Sequence, residues 1–308
     1  MMKWTSTQTD KARKRCRCWA AALALVAAAG SGCGSNATPP KEATAPTPAQ
    51  GETLRIPRLM MFQQGPVKDA VSKAGTAWKV VSNVQWGFAG VVPFSEFGKI
   101  GLNGAVLVRA RVTKGKVGFG LLTPAKTLLN EQYMSAAPDV QSISIPFPAE
   151  KLQDFIVRSA EEKGVSSEVL VEAVDYVLTA VKLPNQIPME KGVPYDSAMI
   201  APGPPVRVVT APRKYAYAVR IPLPLEGISK PVLARIRGRV VQGLMGIGVL
   251  GQDQKTFQSE EYFEPADEAG DLFIVVPSPA TAGFIILRSG KDMKSEISID
   301  SLSLYSPR

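Results

Sequence analysis

At 308 residues, 45% apolar and 20% charged, the chain is long enough for about two globular domains, each with its own core. Its formal charge of +9 is lopsided: Lys3, Lys11, Arg13, Lys14, Arg15 and Arg17 face only Asp10 in the first 32 residues, so five of the nine charges lie there. The +4 that remains gives no electrostatic case for a nucleic-acid partner. Histidine is absent, which excludes Ser-His-Asp triads, Cys-His pairs and His-ligated metals; Cys16, Cys18 and Cys33 are all N-terminal, so the folded part has no thiol, disulfide or zinc-ligand set. No metal and no cofactor is expected.

Residues 1–32 read as an export signal. A basic stretch, Lys11–Arg17, precedes an apolar run, Trp19–Gly30, that is too short to span a bilayer, and small residues follow up to Cys33. The segment resembles a bacterial lipoprotein signal, in which a lipobox of Leu-Ala-Gly-Cys type ends in the lipidated cysteine. Gly32 and Cys33 match, Ser31 is acceptable, and Gly30 departs from the usual large aliphatic residue. The resemblance implies that Cys33 becomes the acylated first residue, that the N-terminal lipid reaches a membrane, and that the protein resides at the cell envelope, on a periplasmic or surface face. An ordinary cleaved signal with an incidental cysteine is the other reading. Residues 33–52 are rich in Ala, Thr, Pro and Ser with no apolar period, which is the composition of a disordered tether.

The rest of the chain is written twice. Val106–Leu122 (VLVRARVTKGKVGFGLL) reappears 128 residues later as Ala234–Leu250 (ARIRGRVVQGLMGIGVL), with Arg109/Arg237, Arg111/Arg239, Val112/Val240, Gly115/Gly243, Gly118/Gly246, Gly120/Gly248 and Leu122/Leu250 identical. The first copy is assigned to residues 53–182. Leu54–Ile56 and Leu59–Phe62 read as leading strands, Pro66–Ala74 as a short helix, and Trp86–Val92 as a half-buried strand. Val106–Val112 and Val117–Leu122, joined by a turn at Gly115, read as a hairpin. Ser142–Ile145 and Phe155–Arg158 follow as strands. Ser167–Val181 has a helical composition. Its counterpart, Glu296–Tyr305, alternates strictly but for one skipped residue, and the same skip separates Val169/Val171 from Val174/Tyr176. Both are therefore read as strands with a bulge.

Leu183–Pro204, with five prolines, is read as a linker over residues 183–204, and the second copy as residues 205–308. Tyr215–Pro222 matches the Trp86 strand, and Glu260/Tyr262 match Glu131/Tyr133. About seven short strands per copy, separated by Gly and Pro turns, predict an all-β chain of two tandem β-sandwich domains. Over residues 78–180 and 207–305 the pattern resembles the jelly-roll, galactose-binding-like modules of secreted bacterial proteins. That resemblance implies a non-catalytic binding module for glycan.

Candidate binding residues are Arg109, Arg111, Arg237 and Arg239, whose guanidiniums project from the polar face of their strands, with Tyr133 and Tyr262 in polar surroundings. The bland alternative for the arginines is a solvated face of ion pairs to Glu131, Glu260, Glu168 and Glu296. Trp86/Phe88 and Tyr215/Tyr217 share a parity with apolar strand residues and read as core. The glycine runs precede strands rather than helices, so they do not form a phosphate loop. Two other functions stay open: a structural envelope lipoprotein that binds a protein partner through its sheet faces, and a glycosidase using acids from the cluster Glu260, Glu261, Glu264, Asp267, Glu268 and Asp271.

Overall fold

Ser167–Gln186 is a single strand of 20 residues, and it belongs to both halves of the molecule. The computed structural model describes residues 51–100, 102–148, 151–187, 189–195 and 198–308; the segment read as an export signal, Cys33 and nearly all of the segment read as a tether lie outside them. Apart from 3-10 turns and one short helix, Ser95–Lys99, the regular structure of the described residues is all β, with every named ladder antiparallel. Three sheets are present: one of 11 strands that runs through both copies, and two of five strands, one covering each half. The result is two β-sandwiches that share a layer.

The duplicated stretch shows how each sandwich is closed. Along Gly104–Lys114, Val106, Val108, Ala110 and Val112 are fully buried while Arg109 points outward, so the strand has one wet face. It pairs with Gln141–Phe147 and Ser167–Gln186 in the shared sheet. Lys116–Leu122 instead pairs with Asp154–Ser159 and Leu128–Ser135 in the covering sheet. The expected hairpin is therefore absent. Gly115, at φ +69, is a corner where the chain passes from one layer to the other, as is Gly243, at φ +79, in the second copy. Alternation fixes which face of a strand is wet, but not which strand lies beside it.

The bulge expected in the strand at Ser167 is present. Its register against Gly104–Lys114 shifts between Val171 and Ala173, and Glu172 is skipped. In Glu296–Pro307 the shift against Val232–Gln242 skips Asp300, the matching residue. Val169, Val171, Val174 and Tyr176 in one copy, and Ile297, Ile299, Leu302 and Leu304 in the other, all reach the core because of that one extra residue.

Three expectations give way. Residues 183–204 are not a linker, and the boundaries 53–182 and 205–308 shift with them. The strand at Ser167 runs on to Gln186, pairing with the C-terminal strand at Lys182↔Tyr305. A 3-10 turn at Met189–Lys191, the Val193–Pro194 bridge to Tyr217–Pro222, and Met199–Ala201 beside Val206–Val209 complete the second sandwich. These repeat the parts that open the first copy: Glu52–Pro57, a 3-10 turn at Leu59–Met61, Gln63–Gln64 and Val71–Ala74. Pro184 lies near the end of the shared strand and Pro194 in a two-residue edge bridge, where a missing N–H is tolerated. Leu59–Met61 is likewise a 3-10 turn rather than a strand. Pro66–Ala74 is not a helix: Asp69 has φ 53, and Val71–Ala74 folds back on Ala77–Ser82 round Gly75.

The two sandwiches also share packing. Leu233, Phe273, Val275 and Tyr305, from the second copy, belong to the core of the first. Where they meet, Arg58 donates to both carboxylate oxygens of Glu261, at 2.5 and 3.1 Å, with only 4% and 5% of the two side chains exposed. The guanidinium lies 4.2 Å from the Phe97 ring centre and 5.5 Å from that of Tyr176, itself stacked on Phe94.

Candidate functional site

The sequence proposed six binding residues, and the structure divides them between two surfaces. The four arginines lie on the outer side of the shared sheet. Arg109 meets Glu172, the bulge residue, at 3.3 Å; Arg237 is 3.5 Å from Asp271; Arg239 donates to the carbonyl of Asp267 at 2.8 Å. Arg111 keeps its Nε buried without a hydrogen-bond partner. The acids expected to pair with them go elsewhere: Glu168 to Lys79 and Thr113, Glu296 to Arg207, Glu131 to Arg158 and Glu260 to Arg288. The second copy's acidic cluster is also dispersed, since Glu260 faces outward while Glu261 turns in to Arg58 and Asp271 serves Arg235.

Tyr133 and Tyr262 stand on the covering sheets, in strands Leu128–Ser135 and Phe257–Phe263. There each copy holds the same cluster. In the first, Arg158 donates through Nε and Nη2 to the two oxygens of Glu131, at 2.6 and 2.5 Å, and the Tyr133 hydroxyl donates to Glu131 at 2.5 Å. In the second, Arg288 forks onto Glu260, and the Tyr262 hydroxyl donates to Glu260 at 3.0 Å. Glu131 raises the pKa of both its partners, the Tyr133 hydroxyl and the Arg158 guanidinium, through these hydrogen bonds. Burial first, and Glu260 second, push Tyr262 up to about 12. In both clusters the phenol therefore stays neutral at physiological pH values.

An exposed aromatic completes each cluster, and the parity argument had placed both in the core. Trp86 is 44% exposed and Tyr215 is 50% exposed. Each precedes its strand in a left-handed conformation, φ 58 and φ 64, so strand alternation does not extend to it. The backbone that holds them is duplicated too. Trp86 N–H donates to the Ser159 carbonyl at 3.0 Å, and Tyr215 N–H to that of Ser289 at 2.8 Å. The Arg158 guanidinium then lies 4.6 Å from the Trp86 ring centre, and that of Arg288 4.7 Å from Tyr215. Trp86 also meets Tyr133 edge-on at 6.3 Å.

Glycine on the strand that lies between the arginine and its glutamate is what lets these groups lie flat. A Cβ at Gly118 would come within 2.3 Å of a Glu131 oxygen and 3.1 Å of the Tyr133 ring. At Gly246 it would meet the Tyr262 ring at 2.9 Å and Glu260 at 3.1 Å. The identity of these glycines in the repeat was the available signal for the site; without the partner strands it pointed only to a bare strip.

No family model and no curated protein matches the sequence. Among solved structures, the tandem CBM22-1–CBM22-2 domains of Paenibacillus barcinonensis Xyn10C are 7% identical, cover 84% of this chain and 98% of their own, and give a TM-score of 0.30. Tandem CBM51 modules of Sp3GH98 from Streptococcus pneumoniae SP3-BS71 are 10% identical, with 75% and 84% covered and a TM-score of 0.26. A truncated AlyQ with CBM32 and alginate lyase domains is 7% identical, with 83% and 100% covered and a TM-score of 0.27. Scores this low transfer no binding site; the fold rests on the strand pairing and the site on its own geometry.

Proposed function

We propose that this is an exported, lipid-anchored, non-catalytic protein that binds glycan on the two covering sheets. The observation that carries the reading is the duplicated platform, Trp86 over Arg158–Glu131–Tyr133 and Tyr215 over Arg288–Glu260–Tyr262. An open indole or phenol ring offers an apolar plane to the C–H face of a sugar. The adjacent Arg–Glu pair, its charges cancelled, leaves donors and acceptors for hydroxyls without demanding a charged ligand. A merely structural ion pair has no need of an aromatic side chain held open in a left-handed backbone, and here that costly conformation occurs twice. The arginine row on the shared sheet is left outside the proposed site because its members are largely taken up by Glu172, Asp271 and Asp267.

The test is a glycan array probed with the full chain in detergent. Trp86→Ala or Tyr215→Ala is expected to cost about 2 kcal/mol at its own copy, roughly thirtyfold in Kd, and the double variant to abolish retention. Absence of binding to any glycan, or unchanged binding by the double variant, refutes the reading and leaves a structural role in the envelope as its replacement.

The anchor is supported by the basic segment, short apolar run and Gly32-Cys33 of the leader. Mass spectrometry of the mature N-terminus is expected to find Cys33 carrying acyl chains, and Cys33→Ala to release the protein from membranes. An unmodified Cys33, or a mature chain that starts elsewhere, would overturn this part alone.

A further inference from the structure

The copies differ at one end of the covering sheet, and the difference is chemically directed. In the first, Asp154, opposite Pro93 and two places along from Val91, accepts from Lys126 at 2.8 Å in a closed ion pair. In the second, the strand register puts Phe284 where Asp154 stands and Arg220 where Val91 stands. Gln254 occupies the left-handed turn position that Lys126 holds, φ 58 against φ 61. The ion pair has thus been exchanged for a lone cation with an amide and rings. Arg220 donates to the side-chain amide oxygen of Gln254, Oε1, and its guanidinium lies 4.6 Å from the Phe284 ring centre and 5.5 Å from that of Tyr195. Among the described residues no carboxylate lies within ion-pair distance of it.

We propose that Arg220 forms a subsite of the second sandwich for the anionic group of an acidic glycan, a carboxylate or a sulfate, while the first sandwich takes neutral sugar. This rests on the glycan-binding reading above. A guanidinium clasped by two rings is partly desolvated and fixed in plane, which suits bidentate capture of a planar carboxylate or a sulfate edge. The subsite is continuous with the platform. Tyr217 meets Tyr195 at 5.7 Å on one side and Phe257 at 6.2 Å on the other, and Phe257 lies 4.7 Å from the Arg288 guanidinium. Beyond Phe284 an open cleft of about 660 Å³ gives a chain room to continue. The nearby Asp253 carboxylate is engaged within its own turn, by the Thr256 hydroxyl at 2.6 Å and by two backbone N–H groups at 3.0 Å, and does not pair with Arg220. Glu226 lines the cleft and favours placing the acidic group at the Arg220 end.

The experiment measures binding of the full chain to oligogalacturonate and its methyl ester, and to chondroitin sulfate and desulfated chondroitin, at low and high salt. Wild type is expected to prefer at least one member that carries the tested anionic group over its twin without that group by about tenfold, with the preference lost at high salt. The pair that shows it distinguishes carboxylate from sulfate. Arg220→Gln is expected to erase the preference and leave neutral binding intact. So is Gln254→Lys with Phe284→Asp, which rebuilds the first copy's ion pair; thermal midpoints near wild type confirm that both variants fold. Neutral binding without acid preference, or a preference that survives both changes, overturns this proposal alone. Failure of every glycan to bind overturns it together with the broader reading.

Discussion

Replacing Glu261 with alanine is expected to destabilise both sandwiches together, by about 3–5 kcal/mol. The carboxylate and its partner Arg58 are almost completely enclosed, and they come from different copies. Removing the acid leaves an enclosed guanidinium facing Phe97 and Tyr176 with no counter-charge. The pair is not itself a net source of stability, because two charges had to be desolvated to form it and the Arg58 Nε remains without a partner. The double change Arg58→Met with Glu261→Leu is therefore expected to recover most of what the single change loses. Urea denaturation followed by tryptophan fluorescence and far-ultraviolet circular dichroism checks both. A single coincident transition at a lower midpoint is the expected form. Two separated transitions, or an unaffected midpoint in Glu261→Ala, would show that the copies are not coupled through this contact.

A fragment of residues 205–308 is expected not to fold cooperatively, although the sequence suggests it as a complete second domain. It lacks Met199–Ala201, which edges the shared sheet beside Val206–Val209, and Val193–Pro194, which edges the covering sheet beside Tyr217–Pro222. It also lacks the buried Ile187 and the pairing of Ala180–Lys182 with the C-terminal strand. Losing two edges, one lateral pairing and a core side chain exceeds the about 5–15 kcal/mol by which a domain is usually stable. The face bearing Leu233, Phe273 and Val275 is uncovered as well. Starting the fragment at residue 180 restores the missing strands and that pairing, and a cooperative urea transition is expected to return in part. If residues 205–308 alone unfold as sharply as the whole chain, the shared strand has been given too much weight.

Several features could be read from the residues because they depend on one strand at a time. The bulges at Glu172 and Asp300 are visible as a slip in apolar phase, since a strand that buries one face must keep its period or insert a residue. The layer change at Gly115 was hidden because a tight hairpin and a corner call for the same left-handed glycine. The segment at Leu183 was hidden for another reason: its structural counterparts from Leu54 to Gln64 retain none of its residue identities, and only the pairing partners show the equivalence. At the site, Tyr133 and Tyr262 were visible as aromatics in polar company. Trp86 and Tyr215 were assigned to the core because alternation was carried one turn too far, into residues whose positive φ breaks it. Arg158 and Arg288 were passed over because nothing local marks an arginine whose glutamate arrives from a strand two places away in the sheet.

Glu52 and Pro307 stand opposite the same residue, Ala180, on either side of the strand that both sandwiches share. The folded circuit nearly bites its own tail. Anything attached ahead of Glu52 or behind Pro307 departs from one common point on the central layer, whereas the aromatic platforms belong to the two covering layers. Immobilising the molecule by either extremity thus grips it at the same spot, and both grips leave from a layer other than those that carry the exposed aromatic rings.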